Sequence, residues 1–270
     1  MICVITGAGG GIGAAASVEL ATRGHHLVLV GRDQAKLDRV ADRAQAAGGS
    51  RPDILTCDYA SFAEVRELAA ELLRRYERID LLANNAGVLV PKRQTTVDGH
   101  ELIMQVNHLS PFLLTTLLLD RLRESRARVV TTTSAAAKSA RLNPDDLDRT
   151  RRWWNAWLQY GDTKLANVLF TAELARREKD IYPTCFHPGI IRTNFAPDML
   201  YMKFLMLVPG VGRPPEEGAG RLVHLATHAD GTAHPGGYFE KNAVHRLSAR
   251  MSDPDLARRL WIASQNATYA

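Results

Sequence analysis

The chain has no basic block, no apolar run of membrane-spanning length, no repeat of fixed period and no low-complexity tract. Each absence removes a class of function. Lys and Arg number 34 against 29 Asp and Glu, a net charge of +5, but the cations are interleaved with acids, as at Arg74, Arg75, Glu77 and Arg78. Nucleic acid is therefore not expected as a partner. The oiliest stretch, residues 199–211, is broken by Lys203 and Pro209. It is shorter than the roughly 20 residues a spanning helix needs, so no stable membrane insertion is expected. The opening MICVITG has neither a charged leader nor a long apolar segment, and no signal peptide is expected.

Cysteine is scarce too. Cys3, Cys57 and Cys185 lie far apart in apolar runs. They suit buried free thiols in a reducing, cytoplasmic setting rather than a disulfide framework. His224 and His228 form an H-x-x-x-H pair, but neighbouring acids are few and no metal is expected.

What the chain does have is alternation. Short β-branched runs at 2–6, 26–30, 52–57, 79–84, 126–133, 181–187 and 237–239 read as strands. Helical periodicity fills 11–24, 33–47, 61–78, 99–123 (as one or two helices), 158–179, 216–228 and 253–267. Strands alternating with helices of this length imply βαβ units with right-handed crossovers. The expected fold is a Rossmann-type doubly wound α/β sheet of about seven parallel strands with helices on both faces, spanning residues 1–270 as one domain.

The first strand runs into Thr6-Gly7-Ala8-Gly9-Gly10-Gly11-Ile12-Gly13, and a helix follows. Glycines let a sharp turn approach a pyrophosphate, and the helix start offers free N–H groups to that anion. Gly7, Gly9, Gly11, Ile12 and Gly13 are thus candidate dinucleotide contacts. At the end of the second strand, Gly31 stands where NAD enzymes usually carry an acid, and Arg32 follows. A guanidinium there can pair with a 2′-phosphate, which favours NADP(H) over the alternative NAD(H). Otherwise Arg32 is a solvated residue beside Asp33, the cap of the next helix. Asp58 either reaches the adenine or caps the helix near Ser61. Asn85, Ala86 and Gly87 form a tight turn suited to pressing on a cofactor.

Tyr160 and Lys164 are four residues apart and share a helix face. An ammonium about 4 Å from a phenol, at an effective dielectric near 20, favours the phenolate by roughly 4 kcal/mol before desolvation. That is about three pK units, enough for proton transfer near neutrality. Ser134 ends the fifth strand, and Asn107 sits in an otherwise apolar helix, as a partner for this group or as a satisfied core amide.

In order, TGxxxGxG, NNAG, Asn107, Ser134, YxxxK and Pro188-Gly189 with Thr193 make the chain resemble the short-chain dehydrogenase/reductase superfamily of single-domain type. VNHLSPFLLT, YGDTKLANVLFTAELARR and HPGIIRT resemble its retinol-dehydrogenase-like branch. The resemblance implies roles. Tyr160 is the general acid/base, and Lys164 lowers its pKa and holds the nicotinamide ribose. Ser134 bonds the substrate oxygen, and Asn107 anchors a water. Ile191 and Thr193, after Pro188 and Gly189, meet the carboxamide. Thr133 stands where many relatives have a second serine. A mobile lid is implied near 194–215, and relatives often form homodimers or homotetramers through paired long helices.

Trp153, Trp154 and Trp157 either wall a lipophilic substrate or pack a helix on the sheet. The methionine-rich 196–211 is read as the lid over a hydrophobic small molecule, or as an oily surface. The expected function is NADP(H)-dependent interconversion of an alcohol with a ketone or aldehyde. The alternative is a catalytically idle NAD(P)-binding regulator on the same fold.

Overall fold

The computed structural model describes residues 1–191 and 212–269. Its sheet has the order β3-β2-β1-β4-β5-β6-β7-β8. The strands are β1 (Ile2–Thr6), β2 (His26–Gly31), β3 (Asp53–Thr56), β4 (Leu81–Asn84), β5 (Arg128–Thr132), β6 (Tyr182–His187), β7 (Tyr238–Glu240) and β8 (Ala243–Val244). The first seven pair in parallel.

The seven expected parallel strands are all present, and an eighth, β8, adds an antiparallel edge beside β7. Lys241 and Asn242 both have positive φ, 49° and 62°. That is the two-residue hairpin turn whose twist matches the strands. Lys-Asn is not the usual glycine-bearing signal, and two exposed residues leave no hydrophobic alternation to read.

Strand side chains alternate between two cores. Cys3, Ile5, Leu27, Leu29, Leu81 and Ala83 face one layer. It is covered by α1 (Gly11–Thr22), α2 (Gln34–Ala46) and α8 (Pro215–Thr227). Val4, Val28, Val30 and Leu82 face the other. That layer lies under α3 (Phe62–Arg75), α5 (Ser110–Leu117), α7 (Ala156–Arg177) and α10 (Pro254–Tyr269). All three cysteines are free and buried.

The expected helix at 99–123 is split. Leu102–Met104 forms α4, Gln105–Leu109 a π-helical turn, and α6 (Leu119–Glu124) follows α5 after a break at Leu118. α7 begins two residues before the expected start, because Asn155 caps it by accepting from the Trp157 and Leu158 N–H groups. α9 (Asp230–Ala233) is a single short turn after α8. The chain moves outward from β1 to β3 and then crosses to β4. This reversal opens a crevice at the carboxyl ends of β1 and β4, where such sheets bind ligands.

Candidate active site

The turn after β1 is built for close approach. Gly7 has φ +68°, and a Cβ there would sit 2.8 Å from the Ala86 Cα. A Cβ on Gly13 would sit 2.5 Å from the Gly7 carbonyl oxygen. The Thr6 hydroxyl accepts from the N–H groups of Asn85 (2.9 Å) and Ala86 (3.1 Å) and donates to the Ala83 carbonyl (2.9 Å). The Asn85 amide donates back to the Thr6 carbonyl at 3.0 Å. The glycine turn and the NNAG turn are therefore one bolted unit.

A cavity of about 1040 Å³ opens beside it. Its walls include Gly7, Gly9, Gly11, Ile12, Asn85, Ala86 and Gly87 at one end. Ser134, Tyr160, Lys164, Pro188, Gly189 and Ile191 line the other. Gly13 packs behind the loop, outside that lining. Gly10 caps α1, and nothing lies within 4 Å of the place its Cβ would take. Open space over a helix start suits a pyrophosphate, and one cavity runs from the glycine loop to the hydroxyls of Ser134 and Tyr160.

Arg32 lines a smaller adjoining cavity of about 210 Å³, together with Asp58 and Lys36. Asp33 caps α2, accepting from the Lys36 N–H at 3.0 Å. The Asp58 carboxylate accepts from the Ala60 N–H at 3.0 Å, while Ser61 caps α3. Two cations were missed in the sequence: Lys36 and Arg39 also line the large cavity. Their signal was available, since Arg32, Lys36 and Arg39 recur at spacings of four and three.

Ser134 begins the turn after β5 and shares a side-chain hydrogen bond with Tyr160. The neighbouring Thr133 hydroxyl donates to the Lys164 carbonyl at 2.7 Å and is spent there. The Lys164 ammonium lies 5.3 Å from the Tyr160 ring centre and donates to the Thr132 carbonyl at 3.3 Å. Their acidities run against the sequence-based expectation. Burial pushes the phenol up to about 12, partly offset by the Ser134 bond. Burial also pulls the lysine down to about 8. Desolvation outweighs the attraction that spacing alone suggested.

Asn107 lies in the π-helical turn, wholly buried. Its side chain clasps Val88, accepting from the N–H at 2.7 Å and donating to the carbonyl at 3.0 Å. The Asn107 main-chain carbonyl accepts from the Asn167 amide at 3.1 Å, and that amide also reaches the Thr132 carbonyl at 3.3 Å. The side chain thus braces backbone instead of pointing at the cavity. Asn167 was also missed, although Tyr160, Lys164 and Asn167 stand at helical spacing on one face of α7.

Gly189 has φ +91°, and the Arg221 guanidinium packs 3.3 Å from where its Cβ would be. His187 lines the cavity, and its Nδ1 accepts from the Ala135 N–H at 3.2 Å. Thr193 and positions 194–211 of the expected lid lie outside the described residues. The tryptophans divide: Trp157 lines the cavity edge-on to Tyr160 at 6.2 Å, Trp154 packs with Leu89 and Ile103, and Trp153 is exposed.

The segment between Ser134 and Tyr160 is tied to α7 by charge. Asp162, fully buried, accepts from Arg149 at 2.8 and 3.0 Å and from the Arg141 N–H at 3.0 Å. Arg152 bridges Asp146 at 2.9 Å.

Comparison with known proteins agrees with this geometry. The family model described as short chain dehydrogenase matches residues 1–201. A Streptomyces sp. (strain C5) protein provisionally named daunorubicin C-13 ketoreductase DnrU is 39% identical over 264 residues, covering 98% of this chain and 91% of that one. Mouse retinol dehydrogenase 14 is 35% identical, covering 97% and 84%. Among solved structures, an uncharacterised protein from Mycobacterium paratuberculosis superposes with a TM-score of 0.81 at 30% identity, covering 100% and 93%. The Pseudomonas aeruginosa RhlG/NADP active-site complex gives 0.70 at 27%, covering 88% and 93%. The chain belongs to the short-chain dehydrogenase/reductase family and is an oxidoreductase.

Proposed function

We propose that the protein is an NADP(H)-dependent carbonyl reductase acting on a hydrophobic ketone or aldehyde, with Tyr160 as proton donor. The carrying observation is the Ser134–Tyr160 hydrogen bond inside the cavity that the glycine loop also lines. Gly7, Gly9, Gly11, Ile12 and the Asn85–Gly87 turn would hold the dinucleotide, with Pro188, Gly189 and Ile191 beside its nicotinamide. When bound, the nicotinamide supplies the hydride to the carbonyl carbon. Ser134 holds the carbonyl oxygen, and Tyr160 gives that oxygen its proton. Lys164 returns a proton toward Tyr160.

A phenol pushed up to about 12 is protonated at neutral pH, the form that reduction needs. Alcohol oxidation needs the phenolate instead. Its rate should rise about tenfold per pH unit above neutrality, while reduction stays flat near pH 7. Equal slopes for both directions would remove Tyr160 from the proton step.

Arg32, Lys36 and Arg39 support the choice of NADP, since three cations flank the glycine loop. RhlG, a relative in structure, is described with NADP. Paired titrations of NADPH and NADH test this, and equal affinities would reject it. Trp157 and Ile190 in the lining, with the ketoreductase and retinol dehydrogenase relatives, support a lipophilic substrate. Turnover of any ketone in a panel excludes the idle regulator, which binds cofactor without reacting.

α10 covers the pair α5 and α7. Trp261 stacks on Phe170 at 5.9 Å and meets Phe112 at 5.0 Å, and Ser264 bonds His108. Pairing through those helices would have to displace it, so we favour a monomer over that homodimer. Among the described residues no helix is long and apolar enough to cross a membrane; a cytoplasmic location is part of the proposal.

A further inference from the structure

β5 and β6 separate beside the cavity. The last backbone bond between them runs from the Thr133 N–H to the Phe186 carbonyl at 2.9 Å. The next N–H on that edge of β5 belongs to Ala135. Its partner is no carbonyl of β6, which turns away at Pro188 and Gly189, but the His187 Nδ1 at 3.2 Å. The same nitrogen accepts a longer bond from the Gly189 N–H at 3.4 Å. One ring atom thus holds two turns, the one that follows Ser134 and the one that carries Pro188 and Gly189.

Two donors aimed at one nitrogen leave no room for a proton on it. The bonding pattern therefore assigns a neutral ring with its hydrogen on Nε2. The frame around the ring is fixed. His187 stands opposite Glu240 in the register of β6 and β7. Glu240 Oε1 pairs at 2.6 Å with the Nζ of Lys138, which lies in the same turn as Ala135. The His187 carbonyl accepts from Arg221 at 2.9 Å. The ring itself lines the cavity.

We propose that His187 is a positioning residue: as a neutral imidazole it sets the Ser134 turn against the Pro188–Gly189 turn, and protonation releases that hold. The inference rests on the reading of Ser134 as the group that holds the substrate carbonyl. A proton on Nδ1 would face two N–H donors, and Ala135 would have to move, carrying its neighbour Ser134 with it. A misplacement of about 1 Å at such a group can cost roughly a hundredfold in rate. Burial holds the imidazole below the ordinary histidine range; Glu240 pulls the other way, and Arg221 and Lys138 add to the effect of burial. At this end of the cavity Tyr160 and Lys164 stand at about 12 and about 8. Neither changes its protonation in acid, so a loss of rate there belongs to His187.

The test follows reduction of benzil, an apolar aromatic diketone, by the full chain with saturating NADPH from about pH 5 to about pH 8. Wild type should lose kcat in acid with an apparent pKa below that of free histidine. His187→Asn keeps an acceptor near the place of Nδ1 and takes up no proton. It should react within about threefold of wild type and show no acid limb. His187→Leu should lower kcat by roughly 10–100-fold while the NADPH Kd stays near wild type. Ring ¹⁵N NMR of the histidine-labelled chain needs no turnover. The resonance missing from His187→Asn should be the Nε2–H tautomer at neutral pH. Where the leucine variant does not fold, the asparagine variant and this resonance decide. A cationic or Nδ1–H ring at neutral pH, or an acid limb unchanged in His187→Asn, would overturn the proposal. So would His187→Leu at the wild-type rate while Ser134→Ala is slow. Ser134→Ala at the wild-type rate would instead remove the reading of Ser134, and this inference with it.

Discussion

The two ends of the cavity are held by different forces. At the glycine end the contacts that join the glycine turn to the NNAG turn are backbone to backbone or run through Thr6 and Asn85. At the hydroxyl end, the segment before α7 is held by charge: Arg149 and Arg152 on Asp162 and Asp146. The first kind of contact depends on which residues can adopt a conformation. The second depends on burial, and burial is a property of the folded chain alone.

Breaking the charged end should have the largest effect. Arg149→Ala leaves Asp162 buried without its main partner and should cost about 3–5 kcal/mol of stability, measured by chemical denaturation. A loss below about 1 kcal/mol would mean that the pair behaves like an exposed one.

His108 sharpens the same point. It is wholly buried between Asn167 and Ser264, and burial pulls it down to about 4. The unfolded chain takes up that proton near pH 6.5 and the folded chain only near pH 4. Stability should therefore fall as pH drops through this window, by about 3 kcal/mol in all. His108→Gln should flatten the pH dependence between 6.5 and 4. A wild-type profile already flat there would show that His108 reaches solvent when charged.

At the glycine end, Gly13→Ala puts a methyl against the Gly7 carbonyl. It should weaken NADPH binding by roughly a hundredfold, about 2.7 kcal/mol, while Tyr160 and Ser134 keep their places. An unchanged Kd would mean that the loop relaxes at no cost. The smallest expected effect is at α2: Lys36→Ala should weaken NADPH about tenfold and leave NADH unaffected. Equal loss for both cofactors would mean that Lys36 does not distinguish the phosphate.

The same division explains what was legible in the sequence. Seven strands and the glycine turn follow from local patterns, since alternation and glycine spacing are written residue by residue. So is the Tyr160–Lys164 pairing on one helix face. The acidity of that pair was not legible, because the spacing carries no measure of desolvation. Asp162, Arg149 and Arg152 read as ordinary interleaved charges, and nothing nearby marks them as buried. Asn107 was legible as unusual, but its use on Val88 was not. β8 failed for another reason, a two-residue strand after an atypical turn.

The most direct measurement is single-turnover reduction of a ketone by Tyr160→Phe with NADPH already bound. The expected result is an NADPH Kd near wild type and a rate lower by about 10²–10⁴-fold. A rate within about tenfold of wild type would assign the proton to another group, since a general acid contributes more than that.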